Sequence, residues 1–176
     1  YSSENNTNLN LYEDKISYFL CVGSEDGLRI SDLVEPVGET SFLIDYYTNY
    51  QFHEVDDYNL AKIGRRWFGD RFDYENVKTF SFNIDNLIVD QPVNLKVSAA
   101  ATSEIVTSMS IELNGTQLST MVFGSIGDPI LATGDSFSSN INLNSSDANI
   151  KLTYNNNGNP ASSASVSYTH LTLPTK

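Results

Sequence analysis

The chain has 176 residues, enough for one domain of ordinary size or for one domain and part of a second. A hydrophobic content of 40%, with 11% aromatic residues, suffices for a core and argues against intrinsic disorder. A formal net charge of −12 and a pI near 4.3 argue against partners that need basic surfaces, namely nucleic acid and anionic membrane.

Residues 1–10 form a polar lead-in to a region, 11–165, that reads as one β-rich domain. Ile16–Val22 and Leu28–Leu33 are apolar runs flanking Gly23-Ser24-Glu25-Asp26-Gly27, a connector suited to a hairpin. Cys21 is the only cysteine and so makes no internal disulfide; in an apolar strand it reads as a small packing residue. As a nucleophile it would need a base, and His53 stands in no local signature for one. Glu35-Pro36-Val37-Gly38 breaks the chain before Ser41–Tyr50, a long aromatic and β-branched run.

Val55 to Ile63 fits one short helix, with Asp56 or Asp57 near its start and Gly64 after its end. Then comes Gly64-Arg65-Arg66-Trp67-Phe68-Gly69-Asp70-Arg71-Phe72, which holds the only tryptophan. Arginines among aromatic faces suggest cation–π stacking at a domain corner, and the glycines suggest turns.

Val77–Ile84 alternates, with Lys78, Phe80, Phe82 and Ile84 on the face toward a core and Lys78 at its rim. Pro92 precedes Val93–Ala99, whose inward set is Val93, Leu95, Val97 and Ala99. Ser108–Leu113 runs into Asn114-Gly115, and Thr116–Phe123 returns. Asn-Gly between alternating strands predicts a type I′ hairpin. Phe137–Leu143 and Asn149–Tyr154 add two strands joined by Asn144-Ser145-Ser146-Asp147. The predicted fold class is all-β: a mainly antiparallel sandwich or jelly roll, with at most the one helix at 55–63.

Val166–Thr175 back-translates as a reading frame through the transposon-end adapter of sequencing libraries, and Ser165 stands at the boundary. Residues 166–176 are therefore read as a non-native tail and left out of the fold prediction, so Tyr168 and His170 carry no functional claim. Without Lys176 the net charge becomes −13. The chain begins at Tyr1 rather than methionine, and truncation at both ends is expected, with a strand after Pro160 missing. No run of about eighteen apolar residues is present, so no transmembrane helix is expected. Abundant Asn, Ser and Thr with few lysines resembles exported bacterial proteins in composition.

Chemical constellations are sparse. The acidic groups Glu25-Asp26, Asp56-Asp57 and Asp70, Asp73 and Glu75 lack the oxygen-ligand spacing of a calcium loop and read as solvated charge. Asn5-Asn6-Thr7, Asn114-Gly115-Thr116 and Asn144-Ser145-Ser146 match a glycosylation acceptor pattern, but turns explain the last two. Tyr46, Tyr47 and Tyr50, with Trp67-Phe68, could form a sugar-stacking platform, although aromatics in a sandwich are more often core. No cofactor, metal or catalytic set emerges.

The order of several motifs resembles the type IX secretion system sortases, the gingipain-related surface signal peptidases of Bacteroidota. The matching elements are Leu11–Leu20 and Gly27–Ile30, then an aromatic strand leading to Tyr50-Gln51-Phe52-His53-Glu54, then the Gly64–Phe72 block. Thr79–Leu87, Ala99–Ala101, the Asn114-Gly115 hairpin and Tyr154–Pro160 follow in the same order. The resemblance implies the non-catalytic β-rich region that precedes a caspase-like cysteine peptidase domain. The parent would cleave C-terminal signals from secreted cargo at the cell surface. Implied partners are that downstream domain, an outer-membrane secretion component and cargo signal domains. Cys21 and His53 do not match the family's catalytic positions, so no catalytic residue is carried over. The rival reading is a surface carbohydrate-binding or adhesive sandwich, favoured if Tyr46, Tyr50 or Trp67 prove exposed beside polar groups.

Overall fold

The computed structural model describes residues 22–23, 38, 45–57, 59–60, 67–89 and 91–175. The chain divides into two compact units, Tyr1–Ile44 and Asp45–Lys176, at a point inside the span that the sequence reads as one domain. Nearly all of the first unit, including Cys21 and both predicted N-terminal strands, lies outside the described residues.

Among the described residues the second unit holds nine strands: β1 (Tyr47–His53), β2 (Gly69–Phe72), β3 (Val77–Asn83), β4 (Val93–Thr102), β5 (Thr107–Leu113), β6 (Thr116–Phe123), β7 (Thr133–Ile141), β8 (Asp147–Asn155) and β9 (Ser163–Thr175). All pairings are antiparallel. One sheet runs β1-β9-β4-β7 with β2 also on β9; the other runs β3-β8-β5-β6. From β3 onward the chain changes sheet at every connection except the β5–β6 hairpin. That alternation is the jelly-roll solution, in which neighbours in sequence cover each other's apolar faces.

The all-β expectation holds, and no helix occurs among the described residues. Glu54 to Asp57 lacks regular structure and Leu60 lies in a turn, while 58 and 61–66 fall outside the described residues. The helix expected over 55–63 therefore gains no support. Its periodicity is too short to compete with the tie that Asp57 N–H makes to the Phe68 carbonyl at 3.0 Å.

Period-two patterning accounts for the core. Phe80, Phe82 and Ile84 are buried and Lys78 is half-buried at the rim, while Val77, Thr79, Ser81 and Asn83 face out. Val93, Leu95, Val97 and Ala99 line the opposing sheet. Met109, Ile111, Met121, Phe123, Ile150 and Leu152 complete the layer between them. Each fully buried aliphatic or aromatic side chain contributes about 1.5–3 kcal/mol of transfer free energy. At the hairpin, Asn114 and Gly115 take φ of 48° and 81°, the paired positive values of a type I′ turn. The Asn114 side chain also accepts from Asn149 N–H at 2.9 Å and donates to the Asp147 carbonyl at 3.0 Å, pinning the turn to β8.

The main departure concerns β9. The sequence reading leaves 166–176 out of the fold and expects a missing strand after Pro160; the structure fills that place with residues 163–175. β9 pairs with β4 on one side and with β1 and β2 on the other, and Leu171 and Leu173 are fully buried. An alternating run of small, β-branched and leucine residues suits a strand whatever the origin of its codons. One inward position fits poorly. Thr169 is fully buried, and its hydroxyl finds no hydrogen-bond partner among the described residues. Thr169→Val should therefore raise stability by about 1 kcal/mol, because it removes an unsatisfied buried hydroxyl. Urea denaturation of the two proteins checks this; an equal or lower midpoint for the valine variant would contradict it.

Candidate functional site

Two regions contain the residues singled out from the sequence: the junction of β1 with β2, and the outer face of the five-stranded sheet.

At the junction, His53 ends β1 on the side of the strand that carries Asn49 and Gln51. Its Nε2 donates to Asp70 Oδ2 at 2.5 Å, and its ring packs against Phe80 with centroids 4.8 Å apart. Asp70 is held at φ of 44°, a left-handed conformation that Asp tolerates better than most residues. Gly69 is buried, and a Cβ there would overlap the carbonyl oxygen and Cβ of Val55. The glycine is thus required by close backbone approach rather than by turn geometry. Phe68 and Phe72 flank it as core residues.

The block therefore anchors one strand to another. Trp67 is half-buried, Arg71 pairs through Nε with Asp73 at 3.1 Å, and Arg65 and Arg66 lie outside the described residues. Among the described residues, the cation over an aromatic face here is Lys78, 5.8 Å from the Phe72 ring centroid. Next to His53, burial and then the Asp56 carboxylate raise the Glu54 carboxyl above its ordinary range. No cluster of three metal-ligating side chains occurs among the described residues. Glu25 and Asp26 lie outside them.

On the outer face, alternation separates the tyrosines that the sequence groups together. Tyr50 and Thr48 share a face with Phe52, whereas Tyr47 lies on the other side of β1, and Tyr46 precedes the strand. Tyr46, Tyr47 and Tyr50 are 60%, 52% and 63% exposed, and Phe52 is 65% exposed. Phe52 was not singled out from the sequence; counting forward from Tyr50 in steps of two would have found it. Across the sheet, the register sets Phe52 beside His170, then Lys96, then Ser138. The next row sets Tyr50 beside Thr172, Asn94 and Asn140. Tyr50 stacks on His170 with centroids 6.3 Å apart, and Lys96 sits 6.0 Å from the Tyr168 centroid. Burial, and then the Lys96 ammonium, lower the His170 pKa from its ordinary range.

A separate open cleft of about 450 Å³ lies where the β5–β6 turn meets the β7–β8 connection. Leu113, Leu118, Ile141 and Leu143 line it with Asn142 and Asn144, and no titratable side chain does. Its hydroxyls, Thr116 and Ser145, have no titratable neighbour in the lining to act as a base. Of the acceptor-pattern asparagines, Asn114 has both ends of its amide engaged and Asn144 is exposed.

No family model matches the chain, and no curated protein matches it. Among solved structures its fold is similar to that of dimeric latent PorU from Porphyromonas gingivalis, at 18% identity with a TM-score of 0.61. That similarity covers 77% of this chain and 13% of the PorU chain, so the chain spans about an eighth of PorU's length. A CBM36-1 domain of a multidomain xylanase, from the hindgut metagenome of Trinervitermes trinervoides, aligns at 10% identity with a TM-score of 0.43. It covers 70% of this chain and 96% of its own. A carbohydrate-binding module CBM36 in complex with calcium and xylotriose aligns at 18% identity and 0.43, over 73% and 99% of the two chains.

The geometry of the junction makes two quantitative expectations. Gly69→Ala should lower unfolding free energy by about 2 kcal/mol, since the added Cβ must displace the Val55 backbone. Asp70→Ala should cost about 1 kcal/mol, the scale of a half-exposed charged hydrogen bond. Thermal unfolding of both variants provides the check. A Gly69→Ala protein as stable as the parent would show that the close approach to Val55 carries no energetic weight.

Proposed function

We propose that this chain is the non-catalytic β-sandwich region preceding the peptidase domain of a type IX secretion sortase-like cysteine peptidase. The observation that carries the reading is the fold similarity to latent PorU across 77% of the chain, joined to the ordered motifs of the sequence. The His-Glu and Gly-Asp-x-Phe motifs, seventeen residues apart, meet in the His53–Asp70 hydrogen bond, as expected of paired structural markers.

In this role the chain supplies no catalytic group. His53 is committed to Asp70 and packed on Phe80, which suits a strand tie. The parent's chemistry, thiolate attack on a peptide carbonyl with an imidazole moving the proton, belongs to a domain beyond this chain. The sandwich would position that domain at the outer surface, where the secretion component and cargo signal domains meet it. An acidic composition is compatible with export to the cell surface, and no helix among the described residues is long and apolar enough to cross a membrane.

A second reading, a carbohydrate-binding or adhesive module, is favoured by one observation: Tyr50 and Phe52 stand exposed on one sheet face beside polar side chains. Sequencing the genomic locus across codon 165 separates the two. We expect the adapter-like codons to be absent and the frame to enter a caspase-like domain with a Cys/His pair. A frame that continues without such a domain would overturn the peptidase reading and leave the binding module.

A further inference from the structure

We infer that the outer face of the five-stranded sheet is a binding surface for an acidic glycan, with Tyr50 and Phe52 as its stacking groups and Lys96 as its anion contact. The inference rests on the second reading above and gives it a location and a ligand class.

The first support is aromatic exposure. Tyr50 and Phe52 lie two residues apart on one face of β1, which places them about 7 Å from each other. Both are more than 60% exposed, an unusual state for two neighbouring rings on a flat sheet. The C–H groups on one side of a pyranose ring carry partial positive charge and meet the negative face of an aromatic ring.

The second support is charge. The chain carries 22 carboxylate side chains against 10 Lys and Arg residues. Yet among β1, β4, β7 and β9 the outward positions hold no carboxylate. They are Thr48, Tyr50 and Phe52; Asn94, Lys96 and Ser98; Gly134, Ser136, Ser138 and Asn140; and Tyr168, His170 and Thr172. Asp135, the one acid within these strands, accepts from Val122 N–H of the opposite sheet and so turns away from this face. Lys96, exposed on β4, is the one lysine or arginine on these four strands; Arg71 of β2, the sheet's other outward cation, is paired with Asp73. A cation kept clear of carboxylates on so acidic a protein is complementary to a ligand carboxylate.

The third support is the amide pair. Asn94 Nδ2 donates to Asn140 Oδ1 at 3.0 Å, which orients the remaining carbonyl and amino groups of the two amides for hydroxyl contacts. A glycan lying across the strands would stack on Tyr50 and Phe52, pass the Asn94–Asn140 pair and place a uronate over Lys96. Every side chain this requires lies before Ser165, while β9, as the lane between β1 and β4, sets the rings and Lys96 in register.

Affinity electrophoresis of the full chain in native gels containing polygalacturonate, alginate or hyaluronan, with neutral xylan in parallel, tests the inference. At least one acidic polymer should retard the protein. A Tyr50→Ala/Phe52→Ala variant should lose at least fivefold in affinity, Lys96→Gln should lose as much, and Tyr74→Ala, at a fully exposed ring outside the sheets, should bind normally. Unchanged thermal unfolding of these surface variants excludes a folding artefact. Retardation that the aromatic double variant leaves intact would overturn the site. Binding to xylan that depends on the aromatics but ignores Lys96 would overturn the acidic class while the binding-module reading stands. No retardation by any polymer would overturn both.

Discussion

The architecture depends on one strand in one lane. β9 enters between β1 and β4, and among the described strands β1 and β2 pair with nothing else. The strand pairing of β1, with its exposed aromatic ridge, and of β2 to the body therefore runs through β9, beside side-chain ties such as His53 on Phe80 and Gln51 to the Asn83 carbonyl. The inward residues of that strand, Leu171 and Leu173 in particular, also close the core over Val93, Leu95 and Val97. Strand identity matters less here than strand geometry. A lane flanked by donors and acceptors on both sides accepts an alternating segment whose inward residues are small or aliphatic. The orphaned hydroxyl of Thr169 marks where the present occupant matches its lane least well.

Much of this was legible from residues alone. Alternation placed the inward faces of β3 and β4 correctly, because each strand has one buried and one wet face and the period of two reports that directly. Asn114-Gly115 specified its turn because few other pairs accept two successive positive φ values. What alternation does not report is which sheet a strand joins. Asn144–Asp147 reads as an ordinary connector yet carries the chain from one sheet to the other, since jelly-roll crossings leave no local signature. β9 was set aside for a reason unrelated to physics: its codons resemble an adapter, but its side chains satisfy a strand. The grouping of Tyr46, Tyr47 and Tyr50 failed for a simpler reason, that adjacent residues in a strand point to opposite faces.

The described part of the Gly64–Phe72 block, from Trp67 onward, shows how a conspicuous motif can serve structure. Its arginine and aromatic content suggested cation–π stacking, but its described residues divide among plain duties. Phe68 and Phe72 fill the core, Gly69 lets two backbones touch, and Asp70 takes a strained conformation to receive His53. Such residues are intolerant of change without being reactive. A conspicuous motif of this kind need carry no chemistry, and the same holds for His53, whose imidazole is committed as a tie.

The two faces of the five-stranded sheet differ in kind. One is consumed by the core, and on β1, β4, β7 and β9 its reverse carries no carboxylate but two exposed rings and a lysine. A domain whose fold is held entirely from within can vary its outer face at little cost to stability. No described strand covers that outer face. The charge distribution decides which ligands that face can take: the strongly acidic remainder repels anions at long range, so an acidic chain would be held only where Lys96 and the rings act at contact distance, within about a Debye length of 8 Å at physiological salt.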